Sequence, residues 1–422
     1  MNVIIRPKKL SGEIIIPPSK SLSHRAIIAA SLANGKSVIS NVLFSKDIIA
    51  TIEAMRACGA IIEQKDNSLI IYGSKVRRAK HELNANESGS TIRFMIPIAL
   101  VCEDLMVFKG ENHLVNRPLD TYYEIFDKLG IKYSHPSDAY LPLETKGGLK
   151  ASDYEIRGDI SSQFITGLLY ALPMLDGDSR LIITTKLESK GYVDLTLDIL
   201  SKFGISIINK DYKEFIIKGN QEYKPCDYTI EGDYSQSAFF LLADALGSNV
   251  VLKAMNPDSF QGDKKIIKDM KDFGCECYIT NDEIRCVGNN LHGAVIDFAQ
   301  SPDLGPALAV LASLARGKSE FINAGRLRIK ECDRITCMRV ELEKMGANII
   351  ESEDGMQFVG VSNLHGACVS SHNDHRVAMA IAMAATVATS ETKILNASCV
   401  SKSFPHFWEC FEALGGDVSY EE

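Results

Sequence analysis

Leu342-Glu343-Lys344-Met345-Gly346, followed by Ala347-Asn348-Ile349-Ile350, reads as the last turn of an amphipathic helix, a glycine stop and an alternating strand. Glycine suits the stop because the residue after a helix often turns left-handed, a conformation glycine enters without strain. The same pattern occurs at Met55-Arg56-Ala57-Cys58-Gly59, Phe126-Asp127-Lys128-Leu129-Gly130, Leu200-Ser201-Lys202-Phe203-Gly204, Met270-Lys271-Asp272-Phe273-Gly274 and Phe411-Glu412-Ala413-Leu414-Gly415. The gaps between successive glycines are 71, 74, 70, 72 and 69 residues, so the chain is a sixfold repeat.

Each unit has further parts. A second strand often follows the first, as in Ser68-Leu69-Ile70-Ile71-Tyr72-Gly73 and Glu214-Phe215-Ile216-Ile217-Lys218-Gly219. Before each glycine-ended helix comes a more apolar one, beginning near Lys20, Ser90, Gln163, Gln236, Asp303 and His375. Stretches such as Phe164 to Leu172 and Ala307 to Leu314 are apolar all round, whereas Thr196 to Phe203 is amphipathic, so one helix of each unit is buried and one lies outside. The predicted fold class is α/β: two similar domains, each of three α/β units of about 70 residues with buried inner helices, an inside-out α/β barrel. The crossings are placed at Pro17-Pro18 and near Glu231-Gly232. One domain then holds residues 18–231, and the other is discontinuous, residues 1–17 plus 232–422.

Composition narrows the function. The chain has 422 residues, 45% hydrophobic and 24% charged, too long for one core. Its 54 acidic residues against 46 basic ones give a net charge of −8, the wrong balance for holding nucleic acid. Met1 to Pro18 lacks the apolar length and cleavage site of a signal peptide, and no apolar run reaches the roughly 20 residues of a membrane span; Ala378 to Thr389 suits a buried helix. Eleven cysteines, an odd count without a Cys-x-x-Cys pair, fit reduced thiols in the cytoplasm. Cys275 and Cys277 share a strand face and read as packing residues rather than metal ligands. A cytoplasmic protein that binds neither membrane nor nucleic acid is expected.

Polar residues that could do chemistry gather at the starts of the two helices of each unit. From Lys20 to Asp47, Ser90 to Arg117, Asp303 to Lys330 and His375 to Lys402 the offset is 27 residues; from Gln163 to Ser189 and Gln236 to Gly262 it is 26. Helix N-termini offer unpaired N–H groups and partial positive charge, so a set of them facing one cleft suits a small ligand with several anionic groups.

The clusters are Ser19-Lys20-Ser21-Leu22-Ser23-His24-Arg25, Glu87-Ser88-Gly89-Ser90-Thr91-Ile92-Arg93, Asn116-Arg117-Pro118, Ser161-Ser162-Gln163, Ser189-Lys190-Gly191-Tyr192, Ser301-Pro302-Asp303, the run Arg326 to Arg334, and Asn373-Asp374-His375-Arg376. Most would pass alone for ordinary caps or surface ion pairs. Arg117 reads as an N-cap-like residue before a helical Pro, and Lys330 and Arg334, four apart, as sharing a helix face. Gly35-Lys36-Ser37 and Gly317-Lys318-Ser319 imitate a P-loop but follow apolar helices and lack its first glycine, so they are turns into strands. The fourth unit, Tyr234-Ser235-Gln236-Ser237 with Gln261-Gly262-Asp263, has no basic residue at its cap and is assigned no chemistry.

In this order the clusters resemble the 3-phosphoshikimate 1-carboxyvinyltransferase family, the enolpyruvylshikimate-phosphate synthases, along essentially the whole chain. The most specific parts are Pro18-Ser19-Lys20-Ser21 with Arg25, Ser161-Ser162-Gln163-Phe164, Lys330-Glu331 with Asp333-Arg334, and Asn373-Asp374-His375-Arg376. The resemblance implies two domains closing over a cleft that holds the active site. It implies that shikimate 3-phosphate is held through its carboxylate by Ser21 and Arg25 and through its phosphate by Ser161, Ser162 and Ser189. Lys20, Gln163, Tyr192, Asp303 and Lys330 complete that site. Phosphoenolpyruvate is implied to lie against Lys20, Gly89, Arg117, Gln163, Arg334, Arg376 and Lys402. The sequence departs from the family at Glu87-Ser88-Gly89-Ser90, where Asn-Ala-Gly-Thr is usual, and at Arg326, where an Asn is common.

The implied reaction moves the enolpyruvyl group to the 5-hydroxyl of shikimate 3-phosphate, on the route to chorismate and the aromatic amino acids, by addition and then elimination of phosphate. Asp303 is assigned to the hydroxyl and Glu331 to the methylene carbon, with Lys20 on the phosphate and His375 a further candidate for proton work. No cofactor and no metal are expected, because side chains supply the cations. A monomer is expected. The rival enzyme is a UDP-N-acetylglucosamine enolpyruvyltransferase, which shares fold and one substrate but carries a reactive Cys that has no neighbour of Arg117 to match it here. A non-catalytic anion binder is the rival from another class, and the presence of both Asp303 and Glu331 argues against it.

Overall fold

The computed structural model describes residues 1–102, 104–280 and 283–421. The chain divides into two compact units, Lys20–Ile230 and Met1–Ser19 with Glu231–Glu422. Where the chain passes between them, Pro18 bridges Gly232 and the Ser19 amide donates to the Glu231 carbonyl at 2.8 Å.

The Lys20–Ile230 unit carries helices α1 (Lys20–Leu32), α2 (Lys46–Ala57), α3 (Gly89–Ala99), α4 (Asp120–Leu129), α5 (Ser162–Ala171) and α6 (Lys190–Lys202). The odd-numbered helices are the apolar ones. In α5 every residue but Gln163 is buried, whereas α4 and α6 bury one face. Three four-stranded sheets surround them, all of one design. In the third, Ser179–Ile183 runs parallel to Asp153–Ile156 and antiparallel to Glu214–Ile217, which pairs antiparallel with Ile207–Lys210. The parallel edge of the first sheet is Tyr228–Thr229, which comes after the third repeat and pairs with Gly35–Ser40, so the returning chain completes the set.

The other unit carries α7 (Tyr234–Ala245), α8 (Ile266–Asp272), α9 (Gly305–Leu314), α10 (Arg334–Lys344), α11 (His375–Ala385) and α12 (Phe407–Ala413). Helices α7, α9 and α11 pack on one another, and α7 and α11 are buried along their whole length. The N-terminal segment finishes this unit. Asn2–Arg6 lies antiparallel between Thr392–Leu395 and Asp417–Glu421, and Ser11–Ile15 runs parallel to Asn249–Lys253.

All six repeat glycines have left-handed backbone, with φ of 101° at Gly59, 68° at Gly130, 82° at Gly204, 88° at Gly274, 93° at Gly346 and 87° at Gly415. Both P-loop look-alikes enter strands, Gly35–Ser40 and Lys318–Ile322. Cys277 faces Cys286 across an antiparallel pair, both are free thiols, and Cys275 and Cys286 are buried in the core.

Several boundaries differ from the sequence reading. Asp303 lies in a 3-10 turn, Pro302–Leu304, ahead of α9, because Pro306 suits the first turn of the α-helix proper. Gly262 opens a 3-10 turn before α8, and Lys402 ends one, Ala397–Lys402, before α12. Arg117 precedes α4 by three residues, with Leu119 rather than Arg117 at the N-cap. Lys330 is extended and lies outside α10, so it and Arg334 do not share a helix face.

Candidate active site

In the Lys20–Ile230 unit the candidate residues gather where helix N-termini meet. Lys20, the first residue of α1, places Nζ 2.8 Å from Oδ2 of Asp47 in the first turn of α2. One turn on, His24 Nδ1 meets Thr51 Oγ1 at 2.7 Å, Thr51 meets Thr91 at 2.7 Å, and Thr91 donates to Ser88, the N-cap of α3. This chain of hydroxyls ties the starts of three helices together. Burial holds the His24 imidazole down to about 3, so the ring stays neutral.

Arg25 joins α1 to α6. Its guanidinium donates to Thr196 Oγ1 at 2.9 Å, to the Tyr192 carbonyl at 3.0 Å and to the Ser21 carbonyl at 2.8 Å, and lies over the Phe94 ring. Burial lowers it to about 10, still charged at neutral pH. Gln163, at the start of α5, is fixed from both sides. Arg93 Nη1 donates to its Oε1 at 2.8 Å, and its Nε2 donates to Ser90 Oγ at 2.9 Å. Gly89 is there for space, since a Cβ would collide with the guanidinium of Arg117. Ser161 caps α5 through the Gln163 amide, and Ser189, with φ of 53°, is the left-handed residue ahead of α6, whose first turn holds Tyr192. Ser162 is buried in the first turn of α5.

The other unit gathers a denser cluster. Asp303 accepts from Arg334 Nη1 at 2.9 Å and Arg376 Nη2 at 3.2 Å and pairs with Lys330 at 3.2 Å. Arg334 also donates to Glu331 Oε2 at 2.7 Å and to Asp374 Oδ2 at 2.8 Å, so one guanidinium bonds three carboxylates. Burial works to raise the Asp303 carboxyl, but Arg376, Lys330 and Arg334 outweigh it and hold it well below the usual range. Lys330 is lowered to about 8, mainly by burial and also by Arg326 and Arg334, against the pull of Asp303. His375 is buried at the first position of α11, and Lys402 ends a turn packed on that helix. The Cys332 thiol donates to Asp374 Oδ2 at 3.7 Å; the hydrogen bond with the Cys337 thiol, with burial, pushes its own thiol far up, which leaves it a poor nucleophile.

Asp47, Thr51, Arg93 and Asp374 hold candidate residues in place, and no role was given to them from sequence. The signal was present for Asp47, which lies 27 residues after Lys20, and for Asp374, beside His375. At the two departures from the family pattern, Glu87 accepts from Asn112 at 2.9 Å and Arg326 lies in the 3-10 turn before Lys330. No group of three or more His, Cys, Asp or Glu able to hold a metal occurs among the described residues. Among them no helix is long and apolar enough to cross a membrane.

Two units of three like repeats, each with anion-suited clusters near its helix starts, resemble the enolpyruvyl-transferase class. The model of the family EPSP synthase (3-phosphoshikimate 1-carboxyvinyltransferase) matches residues 4–411. The chain is 51% identical to the 3-phosphoshikimate 1-carboxyvinyltransferase of Clostridioides difficile (strain 630), covering 98% of this chain and 97% of that one. It is 52% identical to that of Clostridium botulinum (strain Alaska E43 / Type E3), over 98% and 97%. A solved EPSP synthase from Acinetobacter baumannii superposes with a TM-score of 0.83 at 25% identity, covering all of both chains. The chain belongs to the EPSP synthase family and is an enzyme of that activity.

Proposed function

We propose that these clusters serve the transfer of the enolpyruvyl group of phosphoenolpyruvate to the 5-hydroxyl of shikimate 3-phosphate. The observation that carries the reading is Asp303 bonded by Arg334, Arg376 and Lys330 with Glu331 beside it, two carboxylates among cations suited to a phosphate and a carboxylate. Ser21, Arg25, Ser161, Ser162, Ser189 and Tyr192 hold shikimate 3-phosphate. Lys20, Gly89, Arg117, Gln163, Arg334, Arg376 and Lys402 hold phosphoenolpyruvate.

In the addition step the 5-hydroxyl oxygen bonds to C2 of phosphoenolpyruvate while Glu331 delivers a proton to C3, and Asp303 receives the hydroxyl proton. The tetrahedral ketal phosphate then loses a C3 proton to Glu331 and expels phosphate, which leaves with the proton that Asp303 took from the hydroxyl, so both carboxylates return to their starting states and the enolpyruvyl ether remains. Asp303 is a weak base while three cations hold it. An incoming phosphoenolpyruvate competes for Arg334 and Arg376, and that exchange raises the affinity of Asp303 for a proton. Lys20, paired with Asp47, offsets charge on the departing phosphate, and His375 stands as a second group for proton movement. The enzyme works as a cytoplasmic monomer on small anions, with neither nucleic acid nor a membrane as partner, in keeping with its net charge of −8.

Mixing the purified protein with both substrates should release one phosphate for each enolpyruvyl ether formed. Phosphate release with UDP-N-acetylglucosamine, and none with shikimate 3-phosphate, would overturn the reading.

A further inference from the structure

Glu341 lies in α10 two turns beyond Arg334 and has its side chain 1% exposed. Its Oε1 meets His372 Nε2 at 2.7 Å, and its Oε2 accepts from Lys344 Nζ at 2.7 Å and from the Ser370 amide at 3.0 Å. Burial works to raise this carboxyl; the bonds from Lys344, Ser370 and His372 outweigh it and hold it below its usual range.

Its partner His372 is 35% exposed and stands in a loop with unusual backbone. His372 and Asn373 are both left-handed, with φ of 49° and 56°. Such conformations cost a non-glycine residue on the order of 1 kcal/mol or more and persist where their surroundings fix them. Short bonds hold the loop, from the His372 amide to Ser370 Oγ at 3.0 Å and from the Asn373 amide to Ser371 Oγ at 3.1 Å. It ends at Asp374, which caps α11 through the Arg376 amide at 2.8 Å and receives Arg334 Nε. Helix α10 therefore grips this loop at two places, Arg334 through Asp374 and Glu341 through His372 together with Ser370. Arg334, at the start of α10, and Arg376, in the first turn of α11 into which the loop leads, both reach Asp303.

We propose that His372, through Glu341, is a positioning residue that sets the spacing of Arg334 and Arg376 and thereby the affinity for phosphoenolpyruvate. It rests on the reading that these two arginines hold that substrate. A bond to a charged group is worth about 1.4 kcal/mol or more, which makes the expected effect about tenfold. A shifted arginine pair weakens contacts made in both ground state and transition state, so the effect falls on KM rather than kcat.

The test is steady-state kinetics of the full chain with shikimate 3-phosphate binding measured alongside. His372→Ala should raise the KM for phosphoenolpyruvate about tenfold, with kcat within roughly twofold and shikimate 3-phosphate affinity unchanged. His372→Gln, whose amide N–H can donate to Glu341, should recover most of the loss. An unchanged KM in His372→Ala, equal losses in the two variants, or a parallel loss of shikimate 3-phosphate affinity would overturn the proposal. A wild-type chain that turns over no phosphoenolpyruvate would bring down both readings together, whereas an active wild type with an indifferent His372→Ala brings down this one alone.

Discussion

Arg376 and Asp303 stand 73 residues apart and meet at 3.2 Å, the spacing at which Gln163 reaches Ser90 in the other unit. In both pairs the first turn of one inner helix bonds to the start of the inner helix one repeat earlier. The repeat thus does more than build two cores, since it brings equivalent helix starts together, and those starts carry the polar residues. Offsets of 27 recur in the same way between Lys20 and Asp47, His24 and Thr51, and Tyr234 and Gln261.

The two carboxylates of the dense cluster should fail differently. Glu331 is assigned to a proton transfer that occurs only in chemistry, so Glu331→Gln should leave both substrates bound and lower turnover by roughly 10²–10⁴-fold. Asp303 is assigned to the ground-state hydroxyl as well, so Asp303→Ala should weaken shikimate 3-phosphate binding as well as slow turnover. Calorimetry and single-turnover phosphate release separate the two; unchanged turnover in Glu331→Gln removes that residue from the mechanism.

Gly89 offers a steric test of Arg117. A methyl group at position 89 would displace the Arg117 guanidinium, which is assigned to phosphoenolpyruvate. Gly89→Ala should therefore raise the KM for phosphoenolpyruvate, and pairing it with Arg117→Ala should cost little more than Arg117→Ala alone, because both changes remove one contact. Additive losses would show that Gly89 acts by another route.

The repeat, the paired helices, the glycine stops and the helix-start clusters could all be read in the sequence, because each rests on local signals: a period, an apolar face, a φ only glycine favours. What could not be read lies between segments distant in the chain. The return of Tyr228–Thr229 to the first sheet, and the strand partners of Asn2–Arg6 within the domain already assigned to residues 1–17 and 232–422, depend on closing a set of three repeats, which no local pattern states. Arg93 is legible in the sequence as part of the helix start at residues 87–93, but its bond to Gln163, 70 residues away, is not. Asp303 and Lys402 read as helix starts but lie in 3-10 segments, because such short helices leave no periodicity to detect.

Lys330 gives a pH signature. Its ammonium is lowered to about 8 in the free protein, so it is charged below that pH and neutral above it. If the charged form binds the substrate hydroxyls, kcat/KM for shikimate 3-phosphate should fall as pH rises through about 8, since that parameter follows the free enzyme. Lys330→Arg, which stays charged, should shift or abolish this limb even if its overall rate is lower. A wild-type profile flat between pH 7 and 9 would exclude a role for the ammonium.

His24 gives a signature in stability. The buried ring titrates at about 3 in the fold against 6.5 in an exposed chain. The unfolded chain therefore binds a proton between those values that the folded chain does not, and stability contributed by the neutral ring is present above pH 6.5 and lost as pH falls toward 3. The loss runs at up to about 1.4 kcal/mol per pH unit. His24→Asn keeps a group able to bond Thr51 but does not titrate. It should lower stability at pH 7.5 through the smaller side chain, yet its urea midpoint should fall less than that of the wild type between pH 7 and pH 5. Carboxylates add to the acid sensitivity of both proteins alike, so the difference in slope isolates the histidine. Parallel slopes would mean that His24 is protonated in the fold, and the neutral link from α1 through Thr51 to Thr91 would have to be redrawn with a charged donor.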